Sequence, residues 1–350
     1  MHRLRVRVPP RALGMAERDF TWRDAERTIV FRAGALGDSP EILAGGIWER
    51  FELLTTTRAL GAAPVELAER ATVVHQVEPG EVPFVAAAII DNVRNPTLVA
   101  VGGGRVIDTA KAIAAVRGGR VCAIPTTLSG AEITSVHRLP AGREDQAPHR
   151  VRPVLVIADP FEMTTLDDRR LRASAMNALA HGAEALYVPS ANPVASLAAL
   201  RGAELIANAL DQRPGERDRP GLALGALLSA YALGETGYAL HHVVCQTLVR
   251  MLGTPHAETN ATMLPRTMET MRPRAPDEIA ALANALGANP DEVRSRIESL
   301  GGGPRRLRDL GANAERLESA RNAILQRPEF ENTPDPPGAE ELRRLLEDAW

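Results

Sequence analysis

The sequence predicts an α/β domain with a mostly parallel, doubly wound sheet, followed by an all-helical domain. A chain of 350 residues is too long for one compact core, which indicates two domains. Its first half alternates short β-rich runs with helical stretches, whereas its second half shows helical spacing alone. We therefore expect an α/β domain at residues 18–164 and a helical domain at residues 165–350, preceded by an arm at residues 1–17.

Six β-rich runs define the predicted sheet. In chain order they are TIVFRAG, FELLTTT, ATVVHQV, TLVAVGGG, RVCAIPTT and PVLVIADP. Helical stretches between such runs are typical of parallel strands, and parallel sheets bind ligands beyond the carboxyl ends of their strands. The loops GGG, PTTLSGAE and ADPFEMTTL lie at such ends and are the expected ligand-binding edge.

The second half is rich in alanine and leucine. Segments such as MNALAHGAEALYV, PVASLAALRGAELIANAL and GLALGALLSAYALGE repeat their apolar residues at helical spacing, and strand signals disappear after about residue 165. This pattern predicts a domain built from helices only.

Composition excludes several classes of function. The net charge of −3 gives no reason to expect nucleic acid or a membrane surface as partner, and no apolar run reaches the roughly 18 residues of a membrane helix. Cys122 and Cys245 lie in apolar segments far apart, as expected of reduced thiols in a cytoplasmic protein.

The arginine-rich arm lacks the apolar centre of a secretory signal; it is either an extraneous start, with Met15 the true one, or disordered.

The run TLVAVGGGRVIDTAKAIA predicts a buried strand, a glycine turn and a helix. Gly102, Gly103 and Gly104 allow close approach of a ligand, and the helix N-terminus attracts phosphate, although glycines alone also form ordinary turns. The next strand ends in AIPTTLSGAE, whose hydroxyls suit phosphate or ribose: Thr126, Thr127 and Ser129. Two such loops at neighbouring strand ends favour a dinucleotide site.

Histidines cluster in ALHHVVCQTLVRMLGTPHAETNATMLP, which holds His241, His242 and His256. Upstream, Asn177 and His181 are four residues apart in a helical segment and share one face. Each histidine taken alone is more often structural than catalytic.

An ordered set of motifs gives a more specific indication: GGGRVIDTAKA, IPTTLSGAEIT, ADP, NALAHGAEALY, NP and HH…PHAETNATMLP. From about Phe20 to the C-terminus the chain resembles the iron-containing alcohol dehydrogenase family, and its histidine motifs resemble the maleylacetate reductase branch. The resemblance implies a dehydroquinate synthase-like architecture with a cleft between the two domains.

The resemblance also implies roles on the nucleotide side. Gly102 to Gly104 would hold the pyrophosphate, with Asp108 in the same loop–helix motif, and Thr126 and Thr127 would line the nicotinamide side. Arg105 replaces the family's usual serine. The run LLTTT lacks an acidic residue that would grip a ribose 2′-hydroxyl, so the expected cofactor is either NAD or NADP.

For the metal site, the resemblance matches an aspartate and three histidines of the family to Asn177, His181, His242 and His256. Asn177 is a neutral, weak ligand for iron or zinc, so a bound Fe or Zn is doubtful. The maleylacetate reductase branch has the same asparagine, and Gln246 replaces a further histidine. We expect a site adapted to bind and protonate an oxyanion, with catalytic roles for His181, His242 and His256.

The leading hypothesis is a nicotinamide-dependent oxidoreductase that reduces a ketone or aldehyde, with conversion of maleylacetate to 3-oxoadipate as one candidate. A metal, or a protonated His242 or His256, would stabilise the oxyanion. A dicarboxylate needs cations; Arg138, Arg250 and Arg266 are the nearest in sequence, although surface charge is the favoured role for each.

Three alternatives remain open at this point. They are a metal-dependent dehydrogenase of a small alcohol, a sugar-phosphate cyclase, and a nucleotide-binding relative without activity. A single lysine, Lys111, argues against the cyclase, which needs several cations around a phosphate. The expected partners are a small carbonyl or alcohol substrate and a second copy of the chain in a homodimer.

Overall fold

The structure, a computed structural model, describes residues 20–146 and 150–350. The arm expected at residues 1–17 lies outside the described residues. In the part that is described, an α/β half precedes a helical half, which confirms the predicted fold class.

A seven-stranded sheet forms the α/β half, with strand order β1-β2-β7-β6-β5-β3-β4. All neighbouring pairs are parallel except β1 and β2, which are antiparallel. The strands are β1 (Phe20–Asp24), β2 (Arg27–Phe31), β3 (Glu52–Thr55), β4 (Val73–Gln76), β5 (Thr97–Gly102), β6 (Arg120–Pro125) and β7 (Leu155–Ala158). The six predicted strands are therefore confirmed, and β1 is an addition that the sequence analysis missed.

β1 pairs with β2 through a tight turn at Ala25, whose φ of 53° lies in the left-handed region. A non-glycine residue rarely adopts this conformation, and here no glycine or asparagine marks the turn. The hairpin was missed because its turn lacks the residues that usually identify one.

Helices follow β-strands in the first half and make up the second. Among the described residues they are α1 (Ser39–Ile42), α2 (Thr57–Ala62), α3 (Val65–Arg70), α4 (Val82–Ile90), α5 (Gly104–Arg117), α6 (Asp168–Ala185), α7 (Pro193–Asp211), α8 (Arg219–Thr236), α9 (Leu240–Leu252), α10 (His256–Met271), α11 (Pro276–Ala285), α12 (Val293–Leu300), α13 (Leu317–Leu325) and α14 (Ala339–Ala349). No described residue after β7 lies in a strand.

Side-chain caps begin the three long helices of the helical half. Asp167 accepts a hydrogen bond from the Arg170 amide at the start of α6, and Asn192 and Asp218 do the same for α7 and α8. Such caps satisfy amides that have no partner within the helix. They fix where α6 begins, and α6 carries Asn177 and His181.

The two halves share one apolar core. Ile29, Phe31 and Val156 of the sheet belong to the same buried cluster as Met176 and Leu179 of α6. The shared core fixes α6, which carries Asn177 and His181, relative to the sheet. None of the helices in the described part of the chain is long and apolar enough to cross a membrane.

Candidate active site

The predicted nucleotide loops lie side by side at the edge of the sheet. β5 and β6 are parallel neighbours that pair Gly102 with Pro125, and the Thr126 amide donates to the Gly102 carbonyl at 3.0 Å. A Cβ added at Gly103 would stand 3.2 Å from the Thr127 side chain, and one at Gly104 would stand 2.9 Å from Ser129. The glycines therefore let the second loop close over the first.

The N-terminus of α5 faces this pair of loops. Gly103 is its N-cap residue and makes no side-chain cap, so the first amides of the helix have no side-chain acceptor from that position. Uncapped amides and the positive end of the helix dipole suit an anion such as pyrophosphate. Strand end, glycine turn and open helix start together fit the dinucleotide that the sequence predicts.

Asp108 anchors the only lysine of the chain. Lys111 is fully buried and donates to Asp108 at 2.8 Å, to the Ala131 carbonyl at 3.0 Å and to the Val136 carbonyl at 2.8 Å. These bonds tie α5 to the segment after β6. Asp108 thus organises the nucleotide loop through Lys111, a role that the sequence analysis did not identify.

The second nucleotide loop runs directly into the histidines. Gly130 adopts a φ of +74°, and a Cβ there would lie 3.1 Å from the His181 ring and 2.7 Å from Ala230. No other residue fits this left-handed position against an imidazole. The close approach places the loop that carries Thr126, Thr127 and Ser129 next to the histidine cluster.

His242 is held by a buried carboxylate that the sequence analysis did not single out. Glu184 is fully buried, and its Oε2 lies within hydrogen-bonding distance of Nδ1 of His242. Its Oε1 accepts from the backbone amides of Ala239 and His241, at 3.2 and 2.6 Å. A carboxylate on α6 therefore caps the start of α9 and orients the His242 ring.

Charge is unfavourable on either member of this pair. Burial raises the pKa of Glu184, and hydrogen bonds from backbone amides partly oppose this rise. Burial also lowers the pKa of His242 to about 3. Both directions favour an uncharged pair, whereas the sequence analysis expected a protonated His242 or His256 as the donor.

His181 and His242 stack, with ring centroids 4.9 Å apart and planes inclined by 17°. His181 Nδ1 and His242 Nε2 are buried and have no hydrogen-bond partner among the described residues. Unpaired buried polar atoms are costly, and they commonly mark a place that a ligand fills. The two rings thus present free nitrogens where the nucleotide loop ends.

Asn177 lies between the imidazoles of His256 and His181. Its Oδ1 is 3.2 Å from Nε2 of His256, and its Nδ2 is 3.5 Å from Nε2 of His181. Desolvation lowers the pKa of His256, and the carboxylates of Asp108 and Glu258 counteract the shift. Solvent reaches His256, so its desolvation is weaker than that of the buried His181 and His242.

His241, although adjacent to His242, is structural. It is fully buried, its Nε2 bonds to Asn260 Oδ1 at 2.8 Å, and its Nδ1 lies 2.9 Å from the Thr267 hydroxyl. Both nitrogens have partners, which leaves none for a substrate. His241 and His242 differ in role because successive residues of a helix face different neighbours: His241 is bonded within the core, whereas His242 keeps one nitrogen without a partner.

The iron implied by the resemblance does not fit this donor set well. No group of three or more histidine, cysteine or acidic side chains among the described residues converges in a way that could hold a metal ion. The fourth position offers the neutral amide of Asn177, which hydrogen-bonds to two of the imidazoles instead. No chemical step is therefore assigned to a metal.

In the described part of the chain, none of the arginines named from the sequence hydrogen-bonds to His181, His242 or His256. Arg138 is exposed and pairs with Glu81 at 2.5 Å, and Arg250 is also exposed. The expectation of surface charge was wrong for Arg266, which is 2% exposed and donates to the Thr262 carbonyl at 2.7 Å. It tethers the C-terminal residues through Asp348.

Comparison with known proteins gives matches over nearly the whole chain. A family model described as "Iron-containing alcohol dehydrogenase" matches residues 31–160, and another, "Fe-containing alcohol dehydrogenase family, C-terminal", matches residues 172–350. Maleylacetate reductase 1 of Rhodococcus opacus is 34% identical over 280 residues, which cover 78% of each chain. A maleylacetate reductase of Pseudomonas knackmussii is 34% identical over 262 residues, 72% of this chain and 73% of the relative.

Solved structures agree with these sequence matches. The crystal structure of a maleylacetate reductase from Agrobacterium tumefaciens superposes with a TM-score of 0.80 at 30% identity, covering 95% of this chain and 98% of that one. A 1,3-propanediol oxidoreductase superposes with a TM-score of 0.79 at 22% identity, which shows the fold alone. The two-part architecture expected from the resemblance is thereby confirmed.

Proposed function

Because the chain belongs to the iron-containing alcohol dehydrogenase family, in its maleylacetate reductase branch, and is thus a nicotinamide-dependent oxidoreductase, we propose that it converts maleylacetate to 3-oxoadipate. The observation that carries the proposal is the pair of buried, unpartnered imidazole nitrogens beside the nucleotide loop. A substrate oxygen placed there would satisfy them.

This conversion keeps the ketone and saturates the carbon–carbon double bond conjugated to it. The expected reaction is therefore addition to an enone rather than reduction of the carbonyl itself. A nicotinamide, when bound, would supply the hydride that adds to the alkene carbon β to the ketone. The π electrons move onto the ketone oxygen as an enolate, and a proton then restores the ketone by adding to the carbon α to it.

The chain's task is to stabilise that oxygen, and Glu184 with His242 supplies the means. One proton lies between Oε2 of Glu184 and Nδ1 of His242. When it rests on Oε2, the ring's own proton is on Nε2, the unpartnered nitrogen, and can be donated to the enolate oxygen. Burial favours this uncharged arrangement, since it raises the pKa of Glu184 and lowers that of His242.

Position and exclusion of water come from the nucleotide loops and their neighbours. Gly102 to Gly104 and the start of α5 would hold the pyrophosphate, and Thr126, Thr127 and Ser129 would line the loop that leads to His181. His181 and His242 are 6% and 4% exposed, so the reacting oxygen would meet little competing water.

Two finer points belong to the same proposal. Both cysteines are buried and free, which supports work in the cytoplasm, where thiols stay reduced. A homodimer is supported by exposed apolar side chains on one helix: Val194 and Leu197 of α7 are 63% and 72% exposed.

Reduced-nicotinamide absorbance tests the function directly. We expect the purified enzyme to oxidise NADH or NADPH with maleylacetate and to yield 3-oxoadipate, and Glu184→Leu to remove most of this activity. Oxidation of simple alcohols after loading with iron or zinc, with no turnover of maleylacetate, would instead favour the metal-dependent alcohol dehydrogenase.

A further inference from the structure

Arg327, which the sequence analysis passed over, contacts two residues that lie four positions before and four positions after His242. The first, Tyr238, lies two residues before α9, and its ring centroid is 5.9 Å from that of His242. Gln246 lies one turn after His242 and shares its helix face. Both residues accept a hydrogen bond from Arg327 Nη2, the tyrosine hydroxyl at 3.3 Å and Gln246 Oε1 at 3.0 Å.

The substitution at residue 246 matters for this contact. The resemblance places a histidine at this position in many relatives, and here the amide oxygen of Gln246 accepts from the guanidinium instead. The sequence analysis noted only that the glutamine replaces a histidine. In the structure it anchors a cation next to the histidine cluster.

Arg327 and Tyr238 already hold a carboxylate. Arg327 Nε donates to Oε2 of Glu329 at 3.0 Å, and the Tyr238 hydroxyl donates to Oε1 of the same residue at 3.0 Å. Two donors, one of them charged, therefore converge on both oxygens of one carboxylate. No described residue accepts from Nη1 of Arg327, so the guanidinium has capacity for a further oxygen.

Exposure distinguishes the members of this group. The Arg327 side chain is 16% exposed, whereas that of Glu329 is 36% exposed. A carboxylate at the open side of a well-held guanidinium is the member that an incoming anion can displace. Planar guanidinium groups bind carboxylates through paired hydrogen bonds, which makes such an exchange chemically matched.

We propose that Arg327 and Tyr238 form the subsite for the substrate carboxylate remote from the reacting carbon, and that Glu329 occupies this subsite in the substrate-free protein. The inference rests on the proposed function for the identity of the substrate. It assigns the recognition of a dicarboxylate to residues that differ from Arg138, Arg250 and Arg266.

Opposite effects of two variants test the proposal. Arg327→Met removes the binding cation and should raise the Kd for adipate, a dicarboxylate with the six-carbon span of the substrate, about tenfold or more, as measured by titration calorimetry on the full-length protein. Arg327→Lys should recover part of the loss. Glu329→Gln removes the competing charge and should lower the Kd about threefold. The KM for maleylacetate should follow the same order, with KM changing more than kcat.

Two controls separate recognition from folding. Arg296→Met breaks a comparable ion pair, with Asp211 at 2.6 Å and an arginine side chain 21% exposed, away from α9. It should leave adipate binding unchanged. The dimethyl ester of adipate, which has no charge, should bind the native protein and Arg327→Met alike.

Three outcomes would overturn the subsite: native protein that does not bind adipate, equal binding by the native protein and Arg327→Met, or equal weakening by Arg327→Met and Glu329→Gln. The last is what a purely structural ion pair predicts. If adipate binds through Arg327 but maleylacetate is not reduced, the subsite stands and the proposed reaction fails.

Discussion

The nucleotide edge and the histidine cluster meet at Gly130, yet they are built in different ways. The nucleotide edge depends on backbone: absent side chains at Gly102 to Gly104 let a neighbouring loop close, and helix amides face the space. The histidine cluster depends on side chains from three helices, α6, α9 and α10, that meet only after packing. The glycine loop can be predicted from adjacent residues, whereas the histidine cluster can be predicted only if the packing of three helices is known.

This difference explains what the sequence could predict. The strands β2 to β7 and the glycine turn are encoded within short runs of residues, and they were predicted. Glu184 is 58 residues from His242, and Arg327 is 81 residues from Gln246; no local pattern links such pairs. The resemblance placed His181, His242 and His256 together, but it did not reveal what holds each ring.

Glu184 did carry a weak signal. It lies three residues after His181 on a helix and so shares a face with it. An acidic residue on an alanine-rich, buried helix needs a partner, because buried charges are costly. Arg327 offered no such signal, since the chain has many arginines in loops between helices.

The largest effect is expected where the two adjacent histidines differ. His242→Ala removes the nitrogen that we propose donates to the substrate oxygen, so kcat should fall by roughly 10²–10⁴-fold, the usual worth of a positioned acid. Steady-state kinetics with saturating cofactor would measure it. A fall of less than about threefold, with the fold intact by circular dichroism, would exclude His242 as the proton donor.

His241→Ala is the matched neighbour. It should leave Asn260 and Thr267 without their buried partner and cost about 1–3 kcal/mol of unfolding free energy. At a temperature well below its melting point, turnover of the folded enzyme should change far less than in His242→Ala. If both variants lose activity equally, the division of tasks between the two histidines is wrong.

The nucleotide side also contains a carboxyl group, that of Glu132, whose pKa is raised by burial. Glu132 lies in the loop between Ser129 and the histidines, is fully buried, and neither of its carboxyl oxygens has a partner among the described residues. Burial raises its pKa from 4.5 to about 7, and the nearby Lys111 opposes the shift. The folded protein therefore binds more protons than the unfolded chain between about pH 4.5 and 7, and stability falls as pH rises through that window.

Glu132→Gln should remove this pH-dependent loss. Compared with the native protein, the variant should gain on the order of 3 kcal/mol of unfolding free energy above pH 7 and little near pH 5, because glutamine does not titrate. Urea unfolding at pH 5 and pH 8 measures the difference, with the exposed Glu66→Gln as control. A variant destabilised at both values would show that the carboxylate is needed in its charged form.

Gly103→Val tests the backbone device itself. The added Cβ would press on Thr127 from 3.2 Å, a strain that a small movement of the loop can relieve, so the fold should survive. The affinity for NADH or NADPH should fall at least about tenfold, or about 1.4 kcal/mol, since the loop can no longer close around the pyrophosphate. Fluorescence titration of the reduced nicotinamide measures the affinity.

Gly61→Val provides the control for that variant. Gly61 lies in α2, and a Cβ there would meet nothing within 4 Å. Nucleotide affinity should stay at the native value. Unchanged affinity in Gly103→Val as well would remove the glycine turn from the cofactor site.

The smallest effect is expected on removal of metal, and it decides how the histidine cluster works. With the neutral amide of Asn177 where relatives that hold a metal place an aspartate, divalent metal should bind weakly. Purified protein should carry well under one metal per chain by elemental analysis, and chelation should leave reductase activity largely intact.

Asn177→Asp should raise the affinity for zinc or iron, because it adds a charged oxygen on the helix face that carries His181. Asn284→Asp adds the same charge on the exposed side of α11 and should not. Stoichiometric metal in the native protein, lost together with activity on chelation, would contradict proton donation by His242 and favour a metal that acts as a Lewis acid on the substrate oxygen.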